Sequence, residues 1–405
     1  MQIGQTHLLC SEIEDNTIAE KLNAILTDFV QDIACLDPLK LNISEYNQHY
    51  LQVHQRGLQG SMYRIACVVG GALVKHNRPL SELVLLDYGG GIGLLSLLAT
   101  RLGVGTVIYN DIYDVSCRDA SELGITLGCK ADYYVCGDID DVVSFCQGLG
   151  CDAIVSSDVI EHIYNIDHWL GKLQLLCNDG ATVVHATGVS MTHYPARKWA
   201  MREQTLAETR GRKKEWGYKE RDCFTPYYAD RLKIISNYAN TLNEDELGRL
   251  AYLSRGLAKE DILRAVNHYI ETGQSPSPIG HPTNTCDPYT GNWMEHLMNP
   301  YYLSEVLRCN GFVSHVLPIF LNESSGGLKG VEARILNLLM RIPMLSFSIS
   351  RGYALYGKYE GVVSESTNIH SLYGGGSQMW LQKPVWELLL KAYRLLNRKT
   401  QAGHV

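Results

Sequence analysis

The sequence has no Cys-x-x-Cys pair among its 12 cysteines, no apolar run of membrane-spanning length, and only 6 phenylalanines against 24 tyrosines. The missing Cys-x-x-Cys spacing leaves a structural zinc site or a thioredoxin-like redox motif without support. The cysteines that are there, among them Cys67, Cys136, Cys177 and Cys309, sit in apolar segments, which predicts reduced thiols in a cytoplasmic protein. Lacking about 20 consecutive apolar residues, the chain offers no transmembrane candidate. Its opening, Met-Gln-Ile-Gly-Gln-Thr-His, lacks the basic region and apolar core of a signal peptide, so none is expected. A basic excess is missing too. The 36 Lys and Arg face 43 Asp and Glu, a net charge of −7, which speaks against a dedicated nucleic-acid binder because phosphate contacts need a basic face.

What remains is an ordinary globular composition, 45 % hydrophobic and 20 % charged over 405 residues, enough for one large or two ordinary domains. The organising stretch is 84–99. An apolar run from Leu83 to Leu86 suits a buried parallel strand, Asp87 closes it, and Gly89, Gly91 and Gly93 follow at alternate positions. Ile92, Leu94, Leu95, Leu97 and Leu98 then recur at helical spacing. Strand, glycine turn and helix together let backbone approach a ligand and present unpaired N–H groups to it. The Gly-x-Gly-x-x-Gly/Ala fingerprint of nicotinamide binding fits neither register, because Leu94 or Ser96 falls on its last position.

The rest of the chain divides around this stretch. Residues 1–80 read as a helical N-terminal cap, with Ile18, Leu22, Ile25, Leu26, Phe29, Val30 and Ile33 on one face of a helix. Tyr46, Tyr50, His54 and Arg56 there read as the polar side of an amphipathic helix, and only a family resemblance would make them substrate contacts. Residues 81–190 alternate strand and helix, with strands predicted at 106–110, 132–136, 152–156 and 181–185, so a doubly wound, mostly parallel α/β sheet is expected. Asp87, Asp111, Asp138 and Asp158 fall at strand ends, where such sheets bind ligands. Residues 191–298 lose the rhythm and read as a large helical insertion or lid, with helices at 229–242, 244–253 and 259–271 and a loop over 273–288. Residues 299–360 return to helix and strand, with strands at 312–320 and 353–360. Residues 361–405 form a tail whose last helix, 384–398, has Lys391, Arg394, Arg398 and Lys399 beside an apolar face. It either touches a membrane surface peripherally or packs on its own domain.

The pattern Asp-x-Gly-x-Gly-x-Gly, Asp87 through Gly93, resembles the first motif of class I S-adenosylmethionine-dependent methyltransferases. Asp158-Val159-Ile160-Glu161-His162-Ile163 resembles the Asp/Glu-x-x-Glu-His segment after the fourth strand in the ubiquinone-biosynthesis-type small-molecule members. The resemblance implies a Rossmann-like seven-stranded sheet with an antiparallel last strand, and S-adenosylmethionine as cofactor. It implies a donor site of Asp87, Tyr88, Gly89, Gly90, Gly91 and Gly93 at the turn. Asp111 would take the ribose diol, Ile112, Asp138 and Ile139 the adenine, and Ser157 and Asp158 the methyl-donor end. His162 and His185, with His193 beyond them, are the candidate bases for a reaction that needs positioning and proton removal. Asp158, Glu161 and His162 could instead hold a divalent cation; the preferred plain reading is that Glu161 and His162 cap the next helix, and no metal is assigned.

The implied function is methyl transfer to a small or lipid-linked acceptor, at oxygen. A nucleic-acid methyltransferase would use Arg210, Arg212, Lys213, Lys214, Lys219 and Arg221 around Trp216 and Tyr218, but Glu208, Glu215, Glu220 and Asp222 are interleaved, as on a solvated helix face. A catalytically silent binding module on the same fold is the remaining rival.

Overall fold

The computed structural model describes residues 17–74, 76–210, 225–323 and 328–361. Seven strands form one sheet: β1 (Val84–Tyr88), β2 (Thr106–Asp111), β3 (Tyr133–Cys136), β4 (Cys151–Ser157), β5 (Cys177–Thr187), β6 (Phe312–Pro318) and β7 (Tyr353–Tyr359). Their order is β3-β2-β1-β4-β5-β7-β6. The first five pair in parallel, while β7 runs antiparallel to both β5 and β6 and sits between them. The doubly wound, mostly parallel sheet with an antiparallel last strand is therefore the observed fold.

Successive strand residues point to opposite faces, and both faces are covered. Leu85, Val107, Ala153 and Val184 belong to one apolar layer; Leu86, Ile108, Ile154 and Val183 belong to the other. Each fully buried Leu or Val of this kind contributes about 1.5–3 kcal/mol. On the first face lie α1 (Thr17–Cys35), α2 (Glu45–Arg56), α3 (Leu58–Leu73) and α4 (Leu94–Leu102). Leu22, Leu26, Phe29 and Ile33 make the buried stripe of α1, and α3 packs directly on β4 and β5. So α3 belongs to the core of the sheet, and both α2, through Tyr46 and Tyr50, and α3, through Arg64, reach the strand ends. The helices α5 (Asp114–Leu127), α6 (Ile139–Phe145) and α7 (Ile166–Leu173) connect the parallel strands.

After β5 come α8 (Tyr194–Arg210), α9 (Tyr227–Tyr238), α10 (Glu244–Leu253) and α11 (Lys259–Thr272). The last three share a small core of Ile234, Ile235, Leu250, Ala251, Ile262 and Val266. A buried ion pair ties it to α8: Arg231 donates Nη1–H to Glu208 Oε1 at 3.1 Å and Nη2–H to Oε2 at 2.7 Å. The chain returns through 273–299 without a helix, and α12 (Pro300–Cys309), β6, α13 (Leu328–Met340), α14 (Pro343–Ile349) and β7 complete the fold. Among the described residues no helix is long and apolar enough to cross a membrane. The basic stretch 211–221 and the C-terminal helix at 384–398 lie outside the described residues.

Candidate active site

The strand order reverses between β1 and β4, and a cavity of about 590 Å³ opens there at the carboxyl ends of the strands. Its floor is the glycine turn. Gly89, Gly91 and Gly93 have φ of 69°, 56° and 84°, a region that side chains disfavour. A Cβ on Gly89 would stand 2.7 Å from Val159, and one on Gly90 would stand 2.6 Å from the Tyr109 ring. At Gly91 the nearest atom would be Tyr50 Cε1, at 3.4 Å, so this is the open position against which a ligand can lie. Gly90 and Gly93 serve packing and the turn, and neither lines the cavity.

Asp87 holds the turn from beneath. Its Oδ2 accepts the backbone N–H of Ser96 at 3.0 Å and the Ser96 hydroxyl at 2.7 Å, fastening α4 to β1. The carboxyl is fully buried, and burial lifts its pKa to about 7. It is not part of the cavity wall, so its expected place in the donor site is corrected to orienting the turn. Tyr88 is also corrected: its ring packs against Trp169 at 5.2 Å, inside the core.

Asp111, at the end of β2, does line the cavity. Its Oδ2 accepts the Gly91 N–H and its Oδ1 the Tyr113 N–H, both at 3.0 Å. The Tyr109 hydroxyl donates to the Gly91 carbonyl at 2.5 Å, so β2 fixes the glycine turn from two sides. The expected adenine residues lie elsewhere. Asp138 is exposed and caps its own helix, Oδ1 accepting from Asp140 and Asp141 while Asp141 accepts from the Asp138 N–H. Ile139 is buried in the core beneath the sheet, and Ile112 is half-buried outside the cavity wall.

At the end of β4 Ser157 lines the cavity, its hydroxyl buried and without a partner. Asp158 follows with φ 56°. Its carboxylate is held in a fork by Arg64, with Nη1–Oδ1 at 3.0 Å and Nη2–Oδ2 at 2.5 Å, and Oδ1 also accepts the Gly188 N–H at 2.7 Å. Arg64 is the only charged residue of α3 and was not singled out from sequence. A lone charge on a buried apolar helix is itself the signal, because such a group needs a buried counter-ion.

Glu161 and His162 do not cap the next helix, whose N-cap is Asn165. Both line the cavity. Glu161 Oε1 accepts the Thr187 hydroxyl at 2.7 Å, while its Oε2 is buried with no partner. Burial, reinforced by the charge of Asp158, pushes its pKa up to about 8. His162 donates from Nδ1 to the Trp293 carbonyl at 2.8 Å. Burial pulls this imidazole down, but Glu161 and Glu295 beside it outweigh burial, so its pKa is raised.

Glu295 was not visible from sequence. The returning loop bonds to the β4 segment on both sides of it, Trp293 N–H to His162 O and His296 N–H to Glu161 O, each at 3.1 Å. Glu295 between them takes φ 55° and joins the cavity wall. Asp158 and Glu295 are the two non-glycine residues at positive φ among those described, a conformation that persists only where the surroundings enforce it. Trp199 of α8 and Arg351 complete the outer wall, and Tyr46 and Tyr50 of α2 cover the glycine turn. His54 stacks edge-on against Tyr50, whereas Arg56 is exposed at the helix end.

His185 is corrected from base to core residue. It is fully buried, its Nδ1 lies 2.9 Å from Ser156 Oγ, its ring packs on Trp169, and burial pushes its pKa down to about 3. His193 is likewise outside the wall, its Nδ1 accepting the Ala196 N–H at the start of α8. Among the described residues no cluster of three or more His, Cys, Asp or Glu is arranged to hold a metal.

Residues 68–233 match the family model described as a methyltransferase domain. No curated protein matches the chain. Among solved structures, the YcgJ protein from Bacillus subtilis is 13 % identical over 36 % of this chain and 58 % of its own, with a TM-score of 0.29. The chain thus spans less than two thirds of that relative's length. A ribosomal protein L11 methylase from Lactobacillus delbrueckii subsp. bulgaricus is 21 % identical over 36 % of this chain and 67 % of its own, with a TM-score of 0.26. A chain from the complex of the Haloferax volcanii Trm112 methyltransferase activator with a methyltransferase is 12 % identical, covers 74 % and 90 % of the two chains, and has a TM-score of 0.34. The glycine turn, Asp111, Ser157 and Glu161 all lie within the stretch similar to a methyltransferase domain, for which S-adenosylmethionine is the methyl donor.

Proposed function

We propose that the chain transfers a methyl group from S-adenosylmethionine to a hydroxyl of a small or lipid-linked acceptor enclosed in this cavity, with Glu161 as the proton acceptor. One observation carries the reading: the unpartnered Oε2 of Glu161 shares a cavity wall with the open face of Gly91 and with Asp111. The residues fit the donor. Gly91 permits close backbone approach, the Asp111 carboxylate lines the cavity at the end of β2, where such sheets take a ribose diol, and the orphaned Ser157 hydroxyl can bond a polar group.

Bound S-adenosylmethionine supplies an electrophilic methyl carbon that needs no further activation. The chain's own residues position the acceptor and move its proton. The acceptor oxygen would give its proton to Glu161 as its lone pair forms the new bond to carbon, the carbon–sulfur bond of the donor breaking with its electron pair left on sulfur as S-adenosylhomocysteine. His162 lies beside Glu161, and the interaction between them favours the ionised form of the carboxyl. Arg64 neutralises Asp158, which keeps that carboxylate out of the proton transfer. A nucleic-acid acceptor finds no cationic excess in the wall, where Asp111, Asp158, Glu161 and Glu295 stand beside Arg64, His162 and Arg351.

Calorimetric titration of the full chain tests the reading. S-adenosylmethionine and S-adenosylhomocysteine should both bind, and NADH should not. Asp111→Ala should weaken donor binding by about 1–3 kcal/mol, the cost of stranding paired polar groups. Failure of the folded protein to bind either compound would overturn the assignment, and an unchanged affinity in the variant would remove the ribose contact.

A further inference from the structure

One carboxylate in the cavity wall has no group of the chain to answer its charge. Asp111 accepts two backbone N–H groups, Asp158 is gripped by Arg64, and Glu161 is bonded to Thr187. Glu295 differs. Among the described residues its carboxylate takes part in no hydrogen bond or ion pair, although the residue is half-buried in the wall. Arg351 stands in the same wall, but it is exposed and forms no ion pair with Glu295. Burial raises the pKa of Glu295 against the pull of His162 and Arg351. A carboxylate left in this state is destabilising until a cation meets it.

The backbone holds Glu295 in this place. Its φ of 55° is enforced from both sides by the bonds of Trp293 and His296 to the β4 segment, so it stands beside Glu161 and His162. The Gln204 amide of α8 donates to the carbonyls of Met294 and Glu295, the second at 3.3 Å. The same helix supplies Trp199 to the cavity wall. The neighbouring Oε2 of Glu161 is buried and unpartnered too, so this end of the cavity offers two carboxyl groups with unused acceptor positions. A free carboxylate and an indole are the two groups that hold an organic cation, one by a charge-assisted hydrogen bond and the other through its ring.

We propose that the acceptor carries an ammonium group that pairs with Glu295 beside Trp199, while a hydroxyl of the same molecule meets Glu161. Naming this ligand as the acceptor rests on the methyltransferase reading; the preference of the cavity for a cation does not. The pairing also selects the atom that reacts. An ammonium held by Glu295 stays protonated and has no lone pair to give, so the hydroxyl remains the nucleophile. Glu295 is then a specificity-determining residue, and Glu161 keeps the proton transfer.

The test is calorimetry of the full chain, with and without S-adenosylhomocysteine, against two sets of hydroxyl compounds matched in shape and differing in charge. One set is tyramine, para-ethylphenol and para-hydroxyphenylacetate; the other is aminopentanol, hexanol and hydroxyhexanoate. In at least one set the amine should bind about tenfold or more tightly than its neutral and acidic partners, as a charge-assisted hydrogen bond predicts. Glu295→Gln keeps the side chain's shape and should abolish that preference, and Glu295→Lys should turn it toward the acid. S-adenosylhomocysteine affinity should be unchanged in Glu295→Gln, which also reports that the variant is folded. Three results overturn the proposal: no preference for the amine in either set, a preference that survives Glu295→Gln, or a loss of S-adenosylhomocysteine affinity in that variant, which would assign the carboxylate to the donor's own ammonium. The two readings fail separately. Amine preference in a chain that binds no S-adenosylhomocysteine fails the methyltransferase assignment alone, and S-adenosylhomocysteine binding without amine preference fails the role of Glu295 alone.

Discussion

Glu161 lines the cavity with one carboxyl oxygen bonded to Thr187 and the other buried without a partner, and its pKa is pushed to about 8 by burial and by Asp158. A base must be ionised to act. Activity should therefore rise about tenfold per pH unit below 8 and level off above it. Glu161→Gln should cut turnover by about 100- to 10,000-fold, erase that limb of the profile, and leave donor affinity unchanged, which single-turnover kinetics and calorimetry would show. Stability should move the opposite way. The folded chain holds the protonated forms of Glu161 and Asp87 more tightly than the unfolded chain does. Their contribution is complete below the ordinary carboxylate range and is lost as pH rises through about 7 for Asp87 and about 8 for Glu161. Thermal melts between pH 5 and 9 should show the decline. Much of this site is legible in residue spacing: Gly89, Gly91, Asp111, Ser157, Asp158, Glu161 and His162 all line one cavity. Glu295 is not legible, because its backbone conformation is imposed by bonds to residues more than 130 positions earlier. His185 reads the same from sequence whether it faces a cleft or Trp169; burial decides.

At the scale of elements, the module after β5 hangs on the pair between Arg231 of α9 and Glu208 of α8. Both side chains are nearly fully buried, so removing one strands the other. Arg231→Leu should cost about 3 kcal/mol, the low end of the range for broken buried pairs, because Arg255 lies 3.6 Å from Glu208 and remains as a partner. Hydrogen exchange should locate the loss in α9, α10 and α11, with β4 and β5 still protected. Helices α10 and α11 are legible to within a residue because their apolar positions and caps agree. The helix α8 is not: its buried positions are Ala196, Ala200, Gln204 and Ala207, small or polar groups that leave little periodic signal.

At the scale of the whole molecule, alternation of strand and helix is enough to anticipate the parallel half, since each strand is an apolar run closed by a polar residue. The antiparallel close comes from the family resemblance, because nothing local tells Tyr353–Tyr359 to enter between two earlier strands. Leu355 pairs with His185 on one side and Val316 on the other, so Leu355→Pro should deprive β5 and β6 of their shared neighbour and drive the chain into aggregates, read as the soluble fraction on expression. The same insertion sets a timetable for the nascent chain. By the time Thr187 leaves the ribosome the edge of β5 is ready to pair, yet its neighbour lies about 165 residues downstream. At 5–20 residues per second that edge waits roughly 8 to 33 s, long enough for a chaperone or another nascent chain to reach it first.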